Sequence, residues 1–137
     1  MIKILIVDDQ KVLLDAFTNY LKKEADFKIV GSITVAEAAD LACERFHPDL
    51  VLMDICTEGK VSGIYATERI KKRHPEIKVM LMTGFPEMSF IERGKLAGAD
   101  SFIYKNRSIE EFIKCIRETV AGQGSFLEEE QHPGFGE

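Results

Sequence analysis

The sequence predicts a three-layer α/β protein in which helices cover both faces of a five-stranded parallel sheet. Two observations predict this fold class. Short apolar runs without polar alternation recur along the chain, and a segment with helical periodicity follows each of them. With right-handed crossovers, such βα units build a doubly wound sandwich. The predicted strands are Ile2–Val7, Phe27–Gly31, Leu50–Met53, Val79–Met82 and Phe102–Tyr104.

The helices between these strands are predicted from apolar spacing. In the first helix, Leu13, Phe17, Tyr20 and Leu21 recur with the period of an α-helix and predict its buried face. The fourth helix is weakly patterned and is placed within Glu87–Leu96.

Capping signals mark the start of two further helices. In "TVAE", Thr34 and Glu37 have the spacing of a capping box and predict the start of the second helix. In "SIEE", Ser108 and Glu111 predict the start of the last helix in the same way. That helix is expected to end near Gly122, because glycine is common just after a helix.

The composition argues against several classes of function. The chain has 137 residues, the size of one domain, and a net charge of −5 without a block of lysine or arginine. This charge is unfavourable for direct binding to nucleic acid or to an anionic membrane. No apolar run approaches the roughly 20 residues of a membrane helix, and the N-terminus lacks a signal-peptide pattern.

The cysteines point to a reducing compartment. Cys43, Cys56 and Cys115 are odd in number and show no metal-ligand spacing, so buried structural thiols are the expected state. From this pattern we predict a cytoplasmic protein.

The sequence divides into a domain and a short tail. Residues 1–122 contain all predicted strands and helices, whereas residues 123–137 are rich in glycine and acidic residues. We interpret the second segment as a mobile tail or a linker. Both a frayed terminus and a connection to an absent output domain remain open.

Chemically distinctive residues follow four of the predicted strands. Asp8 and Asp9 follow the first strand, Asp54 the third, Thr83 the fourth and Lys105 the fifth. The carboxyl ends of parallel strands meet at one edge of the sheet, where ligands bind in doubly wound folds. The sequence therefore predicts one site that contains three acids, a hydroxyl and an ammonium.

Phosphoryl transfer to a carboxylate is the chemistry that needs this set. Two like charges about 4 Å apart repel by about 4 kcal/mol at an effective dielectric of about 20, so a cation is expected between the acids. Mg²⁺ fits oxygen ligands, while zinc would need His or Cys. We predict that Asp54 accepts the phosphoryl group, that Asp8 and Asp9 bind the metal, and that Thr83 and Lys105 contact phosphoryl oxygens.

The motifs "ILIVDDQ", "PDLVLMDI", "VMLMTG" and "GADSFIYK" resemble those of response-regulator receiver domains of two-component systems. The resemblance extends from about Ile2 to Gly122. It implies a flavodoxin-like fold with strand order 2-1-3-4-5. It also implies phosphoryl transfer from a sensor histidine kinase to Asp54, without turnover of an external substrate as an enzyme would show.

The same resemblance assigns roles to individual residues. It implies a Mg²⁺ site formed by Asp8, Asp9, Asp54 and the main-chain carbonyl of Cys56. Thr83 corresponds to the switch hydroxyl, Phe102 to the rotating aromatic and Lys105 to the lysine that pairs with the phosphoryl group. Gly84 corresponds to the small position beside the site.

Two segments depart from the family pattern. The loop "DICTEGKVSG" has Thr57 and Glu58 where the family has Met-Pro, and it has one extra residue before Gly63. Asn106 follows the lysine, where many members have a cis-proline. We expect the loop to be reshaped and to add negative charge near the acceptor.

The missing proline and the ending "IRETVAGQGSFL" resemble LuxR/NarL-type transcriptional regulators. This resemblance implies a DNA-binding output domain outside this chain. Separately, we expect a homodimer in the phosphorylated state, because dimerisation would supply part of the free energy of switching. Cys56 and Phe85 flank the expected path of the hydrolytic water, and we predict that they set the lifetime of the phosphoryl group.

Other classes of protein share parts of this pattern. A haloacid-dehalogenase-type phosphatase also uses Asp, Thr and Lys, but it would have DxD where this chain has Asp8-Asp9-Gln10. A flavodoxin-like FMN binder would meet repulsion between its phosphate and the acids. A pseudo-receiver that works without phosphorylation is the third alternative.

Overall fold

A computed structural model describes residues 1–57, 60, 62–84 and 87–126 of the chain. These residues form one parallel sheet with the order β2-β1-β3-β4-β5, the order that the receiver resemblance implies. The strands are β1 (Ile2–Val7), β2 (Phe27–Ile33), β3 (Leu50–Asp54), β4 (Lys78–Thr83) and β5 (Ser101–Tyr104). Every predicted strand is present, with bounds that extend the predictions by up to two residues.

Helices cover both faces of the sheet. Side chains of α1 and α5 pack with one face, and side chains of α2, α3 and α4 pack with the other. The helices are α1 (Lys11–Leu21), α2 (Ala39–Phe46), α3 (Ser62–Arg73), α4 (Met88–Leu96) and α5 (Ile109–Val120). The three-layer prediction is confirmed.

The central strands are buried along most of their length. All five residues of β3 are buried, and so are the last five of the six residues of β4. A parallel sheet between two helical layers excludes water from both faces, which explains why the apolar runs do not alternate with polar residues. The polar groups of the site therefore begin where these strands end.

The buried face of α1 differs in part from the prediction. In α1 the buried residues are Leu14, Phe17 and Leu21, whereas Tyr20 is exposed and Leu13 is only half-buried. Phe17 and Leu21 were therefore predicted correctly, and Tyr20 was wrong. Leu14, rather than Leu13, is the third buried residue, because α1 turns Leu14 toward the sheet. The apolar spacing in the sequence is compatible with burial of either Leu13 or Leu14.

The predicted capping box at Thr34 is wrong. The second helical segment begins as a 3₁₀ turn at Ala36, and its N-cap is Val35, which makes no side-chain capping bond. Ala36 and Ala39 are fully buried. Their packing sets the start of the turn one residue later than the local pattern predicted.

The capping box of α5 is confirmed. Ser108 accepts a hydrogen bond from the Glu111 N–H at 3.2 Å, and the Glu111 carboxylate accepts one from the Ser108 N–H at 3.1 Å. The helix ends at Val120, and Gly122 follows with a φ of +83°. A side chain is strained at such a φ, which explains the glycine after the helix.

The cysteines are reduced. Cys43 and Cys115 are buried, as expected, but Cys56 is only half-buried. Burial raises the pKa of the Cys43 thiol to about 12, with further contributions from Asp40 and Glu76. Such a thiol is protonated at neutral pH and chemically quiet.

Residues 123–126 lie against β5, while residues 127–137 fall outside the described residues. The boundary at residue 122 and the linker role of the tail stay predictions. None of the helices in the described ranges combines the length and apolar character needed to cross a bilayer.

Candidate functional site

Three carboxylates meet at the carboxyl edge of the sheet. Asp8 and Asp9 follow β1, and Asp54 is the last residue of the neighbouring strand β3. One carboxylate oxygen from each lies within 4.8 Å of the others. Asp8 and Asp54 are buried and Asp9 is half-buried. The structure thus brings together the three acids that the sequence singled out.

Lys105 connects two of these acids. It follows β5, and its Nζ lies 2.8 Å from Asp8 Oδ2 and 3.2 Å from Asp54 Oδ2. The Lys105 N–H also donates a hydrogen bond to the carbonyl of Thr83 at 2.8 Å. One residue therefore ties the ends of β4 and β5 to the acids.

Backbone amides orient the two buried carboxylates. Asp8 Oδ1 accepts a hydrogen bond from the Gln10 N–H at 2.9 Å, and Asp54 Oδ1 accepts a longer one from the Cys56 N–H at 3.4 Å. Because each donor lies two residues after its acid, both contacts form within a single turn. The acids are thereby held at the strand ends before any ligand arrives.

A close backbone approach supports Asp54 from behind. The Gly63 N–H donates to the Ile55 carbonyl at 2.9 Å. A Cβ at position 63 would overlap the Asp54 carbonyl oxygen. The glycine is therefore required sterically, a role that sequence reasoning missed; its position after the altered loop was the only available signal.

The environment changes the protonation of Asp54. Burial raises the pKa of Asp54 to about 7; the Lys105 ammonium lowers it and the Asp8 charge raises it further, with burial the largest influence. Burial alone would lower the pKa of Lys105, but the hydrogen bond and charges of Asp8 and Asp54 outweigh it, so the pKa of Lys105 is above its ordinary value. Lys105 is thus a permanent cation beside a carboxyl that titrates near neutrality.

The donor set suits a hard divalent cation. The buried Asp8 Oδ2 and the Asp54 carboxylate share the Lys105 ammonium, and one oxygen of Asp9 lies within 4.8 Å of oxygens of both. Three carboxylates this close repel one another. A cation bound by their oxygens would reduce this repulsion, and Mg²⁺ prefers such ligands. The residues present therefore fit the metal that the family implies.

Thr83 lies at the end of the strand next to Asp54, and Phe102 lies two residues before the end of β5. Thr83 ends β4, one position beyond the residue that pairs with Asp54, and it is fully buried. Phe102 is also fully buried, and its ring meets Tyr104 edge-on with centroids 5.2 Å apart. Thr83 therefore shares the rim with Asp54, whereas Phe102 lies within the sheet behind it; the switching roles of both residues stay predictions.

The altered loop is only partly described. Thr57 and Lys60 form an antiparallel bridge, with the Lys60 N–H donating to the Thr57 carbonyl at 3.1 Å. Glu58 and Phe85 lie outside the described residues, so the predictions made for them are not tested. No cis peptide bond occurs in the described ranges, so the bond between Lys105 and Asn106 is trans.

Gly84 shows no steric need for glycine in the described part of the protein. A Cβ built at this residue meets no atom within 4 Å. Its importance for an approaching phosphoryl group stays a prediction.

Comparison with known proteins defines the class. The response regulator receiver domain family matches residues 4–117. The chain therefore belongs to the response regulator receiver domain family. Its strand order and its acidic rim agree with this assignment.

Curated relatives are similar over most of this chain. The response regulator protein VraR of Staphylococcus aureus (strain Mu3 / ATCC 700698) is 35% identical over 125 residues, which cover 91% of this chain and 59% of that protein. The chain thus spans about three fifths of the length of the curated relatives it matches.

Solved structures show the same architecture. A DNA-binding response regulator of the LuxR family from Staphylococcus aureus has a TM-score of 0.81 at 28% identity, covering 88% of this chain and 99% of that one. A LuxR-family two-component response regulator from Aurantimonas sp. SI85-9A1 has a TM-score of 0.85 at 22% identity, covering 93% and 90%. The second likeness is evidence for the fold alone. The first, at 28% identity, shows that this chain is similar to a receiver of that LuxR-family protein.

Proposed function

We propose that this receiver accepts a phosphoryl group on Asp54 in a Mg²⁺-dependent reaction and changes conformation to control an output. The observation that carries the proposal is the arrangement around Asp54. Its buried carboxylate ends a central strand, shares the Lys105 ammonium with Asp8, and lies within 4.8 Å of the Asp8 and Asp9 carboxylates.

In the proposed reaction an oxygen of Asp54 attacks phosphorus, and the bond between phosphorus and the leaving group breaks. The leaving group departs with the electron pair of that bond. Lys105 stabilises negative charge on the phosphoryl oxygens, and the Thr83 hydroxyl donates a hydrogen bond to one of them. The burial of the site strengthens these contacts because water competes little.

Asp8, Asp9, Asp54 and the backbone carbonyl of Cys56 would hold the metal. When bound, Mg²⁺ neutralises part of the charge shared by the carboxylates and the incoming phosphoryl group. The close approach of the Asp8, Asp9 and Asp54 oxygens supports this assignment for the side-chain ligands.

The proposed output is a shift between two conformations. A phosphoryl group carries about two negative charges and would attract Thr83 and Lys105. Phe102 then occupies the space that Thr83 leaves. Moving the equilibrium from 1:99 to 99:1 takes about 5.5 kcal/mol, and one or two charge-assisted hydrogen bonds supply only part of this. Homodimerisation of the phosphorylated form would supply the remainder.

The partners are proposed from the family and its relatives. The donor is a sensor histidine kinase, in the cytoplasm. The LuxR-family relatives favour transcription as the output, through a DNA-binding domain outside this chain. The chain itself is proposed to bind neither DNA nor membrane, since its net charge is −5.

The lifetime of the phosphoryl group is proposed to depend on Cys56 and Phe85. Cys56 is half-buried and its N–H contacts Asp54 Oδ1, so its side chain borders the acceptor. Unchanged decay rates in both Cys56→Asn and Phe85→Ala would contradict this role. We propose no turnover of external substrates, and no observation favours a phosphatase over a receiver; hydrolysis of a phosphomonoester would reveal one.

Incubation with acetyl phosphate, with and without Mg²⁺, tests the function by intact mass. We expect one phosphoryl group on the wild-type chain only with Mg²⁺, and none on Asp54→Asn. Asp15→Asn is the matched control, because Asp15 is an exposed acid on α1. Labelling of Asp54→Asn at the wild-type level would overturn the acceptor assignment.

A further inference from the structure

After α5 the chain turns back and lies along the free edge of the sheet. The turn contains Gly122, and the Gln123 N–H donates to the Glu118 carbonyl at 2.7 Å. The Phe102 N–H then donates to the Ser125 carbonyl at 3.0 Å, and Phe102 and Phe126 form a parallel bridge. We call residues 123–126 the strap. Since β5 is an edge strand, the strap gives one of its outward amides a partner.

Side chains adapt the strap to this edge. Gly124 lies so close to the Asp100 carbonyl that a Cβ would overlap it. Phe126 is half-buried and packs against the apolar cluster that contains Phe102, and the Lys95 ammonium lies 5.0 Å from the centroid of its ring. A backbone bond, a close glycine approach and an aromatic contact therefore hold the strap in one place.

The strap and the acidic site are attached to the same short strand. The strap bonds to Phe102, and three residues later Lys105 contacts Asp54 at 3.2 Å. Lys105 also bonds to the carbonyl of Thr83. A shift of β5 would therefore change both the contact with the strap and the contact between Lys105 and the phosphoacceptor Asp54.

Phe102 is already fully buried in the unmodified protein. Its ring meets Tyr104 edge-on, in the apolar cluster that Phe126 packs against. The strap runs along the outer edge of β5 at Phe102.

We propose that the strap holds β5, and with it Lys105, in place, so that strap docking and phosphorylation of Asp54 favour each other. This inference rests on the proposed function, because it names a positioning element for the same site. Coupling between two events is reciprocal: if phosphorylation tightens the strap, the docked strap strengthens binding at Asp54 by the same factor.

Hydrogen exchange of the Phe102 amide tests the coupling. The full ¹⁵N-labelled chain is compared with Mg²⁺ alone and with Mg²⁺ plus beryllofluoride, a phosphoryl mimic whose binding is followed by ¹⁹F NMR. We expect beryllofluoride to slow exchange of this amide by about tenfold, within the range usual for coupled sites. Gly124→Ala, which displaces the strap, is expected to speed exchange and to weaken beryllofluoride binding by a similar factor.

Two further variants separate docking from general damage. Phe126→Ala removes the ring contact without a steric overlap and is expected to act in the same direction as Gly124→Ala. Gln123→Ala changes an exposed side chain of the strap and is expected to behave as the wild type. Bound beryllofluoride with unchanged Phe102 exchange would overturn the coupling alone. No bound beryllofluoride in the wild type would overturn the proposed function and the coupling with it.

Discussion

The ammonium of Lys105 lies 3.2 Å from the carboxylate of Asp54, although Asp54 ends β3, Lys105 follows β5, and β4 lies between these strands. The same ammonium contacts Asp8 at 2.8 Å. Lys105 thereby offsets the repulsion between two buried acids. It also stands where the oxygens of a phosphoryl group on Asp54 would need a cation.

Replacing Lys105 should slow phosphorylation while leaving the acceptor in place. In Lys105→Met we expect labelling by acetyl phosphate to slow about a hundredfold. This is the usual effect of removing one preorganised group that stabilises negative charge in the transition state. The measurement is a time course of intact mass at saturating Mg²⁺. Lys72→Met, on the exposed face of α3, is the control. A rate for Lys105→Met equal to that of the control would contradict the role.

Magnesium should stabilise the folded protein through the acidic rim. A ligand at about 100 times its Kd adds about 2.7 kcal/mol to the free energy of unfolding. We expect such an increase for the wild type and little or none for Asp9→Asn, measured by urea unfolding with and without Mg²⁺. Asp15→Asn should respond as the wild type does. An equal response of Asp9→Asn would remove this residue from the proposed ligands.

A methyl group at position 63 should destabilise the fold. Its Cβ would overlap the Asp54 carbonyl oxygen, and relief requires the backbone to move. Overpacking of this kind costs about 1–3 kcal/mol. We expect Gly63→Ala to lower the free energy of unfolding by this amount, whereas Gly84→Ala, which meets no atom within 4 Å, should have little effect. Equal stability of the two variants would show that the approach at Gly63 relaxes without cost.

The surface pair of Arg117 and Asp26 should make stability depend on acid pH. Arg117 joins α5 to the segment before β2 at 2.8 Å from Asp26 and 2.9 Å from Glu24. The hydrogen bond from Arg117 lowers the pKa of Asp26 from its ordinary value of 3.8. A lowered carboxyl pKa gives stability that is present above the ordinary value and is lost as the pH falls through the folded-state value.

Arg117→Gln should therefore be less stable than the wild type at about pH 7, and the difference should shrink toward about pH 3. The effect should be small because the pair is exposed and screened by salt. Urea unfolding at several pH values measures it. Arg69→Gln, another exposed arginine, serves as the control. A difference that grows as the pH falls would contradict the sign.

Much of the fold could be predicted because hydrophobic burial produces recognisable patterns in short stretches of the sequence. The buried strands appear as apolar runs, and Ser108 and Glu111 predicted the start of α5 correctly because both partners of a capping box are close in sequence. Predictions failed where a distant contact decided the outcome. Burial of Ala36 shifted the start of the second helical segment, and packing on the sheet selected Leu14 over Leu13.

The position of the strap also depends on distant contacts that the local sequence does not predict. The strap begins the segment 123–137, whose glycine and acidic residues predict a mobile tail or a linker. Its place on the edge of β5 depends on the Phe102 amide and the space at Asp100, neither of which is visible from residues 123–126 alone. The sequence pattern associates Gly124 with flexibility, whereas in the structure this glycine allows the backbone to lie close to the Asp100 carbonyl.

By itself, the sequence determined the number of strands, their order along the chain and the side chains at their carboxyl ends. The reason is that each buried strand produces a local apolar run in the sequence. Only the tertiary structure decided that Lys105 contacts both Asp8 and Asp54, that burial raises the pKa of Asp54 to about 7, and that the strap covers Phe102. These relationships join residues from separate strands. Their distances and solvent exclusion arise from sheet register and packing, which no single segment of the chain specifies.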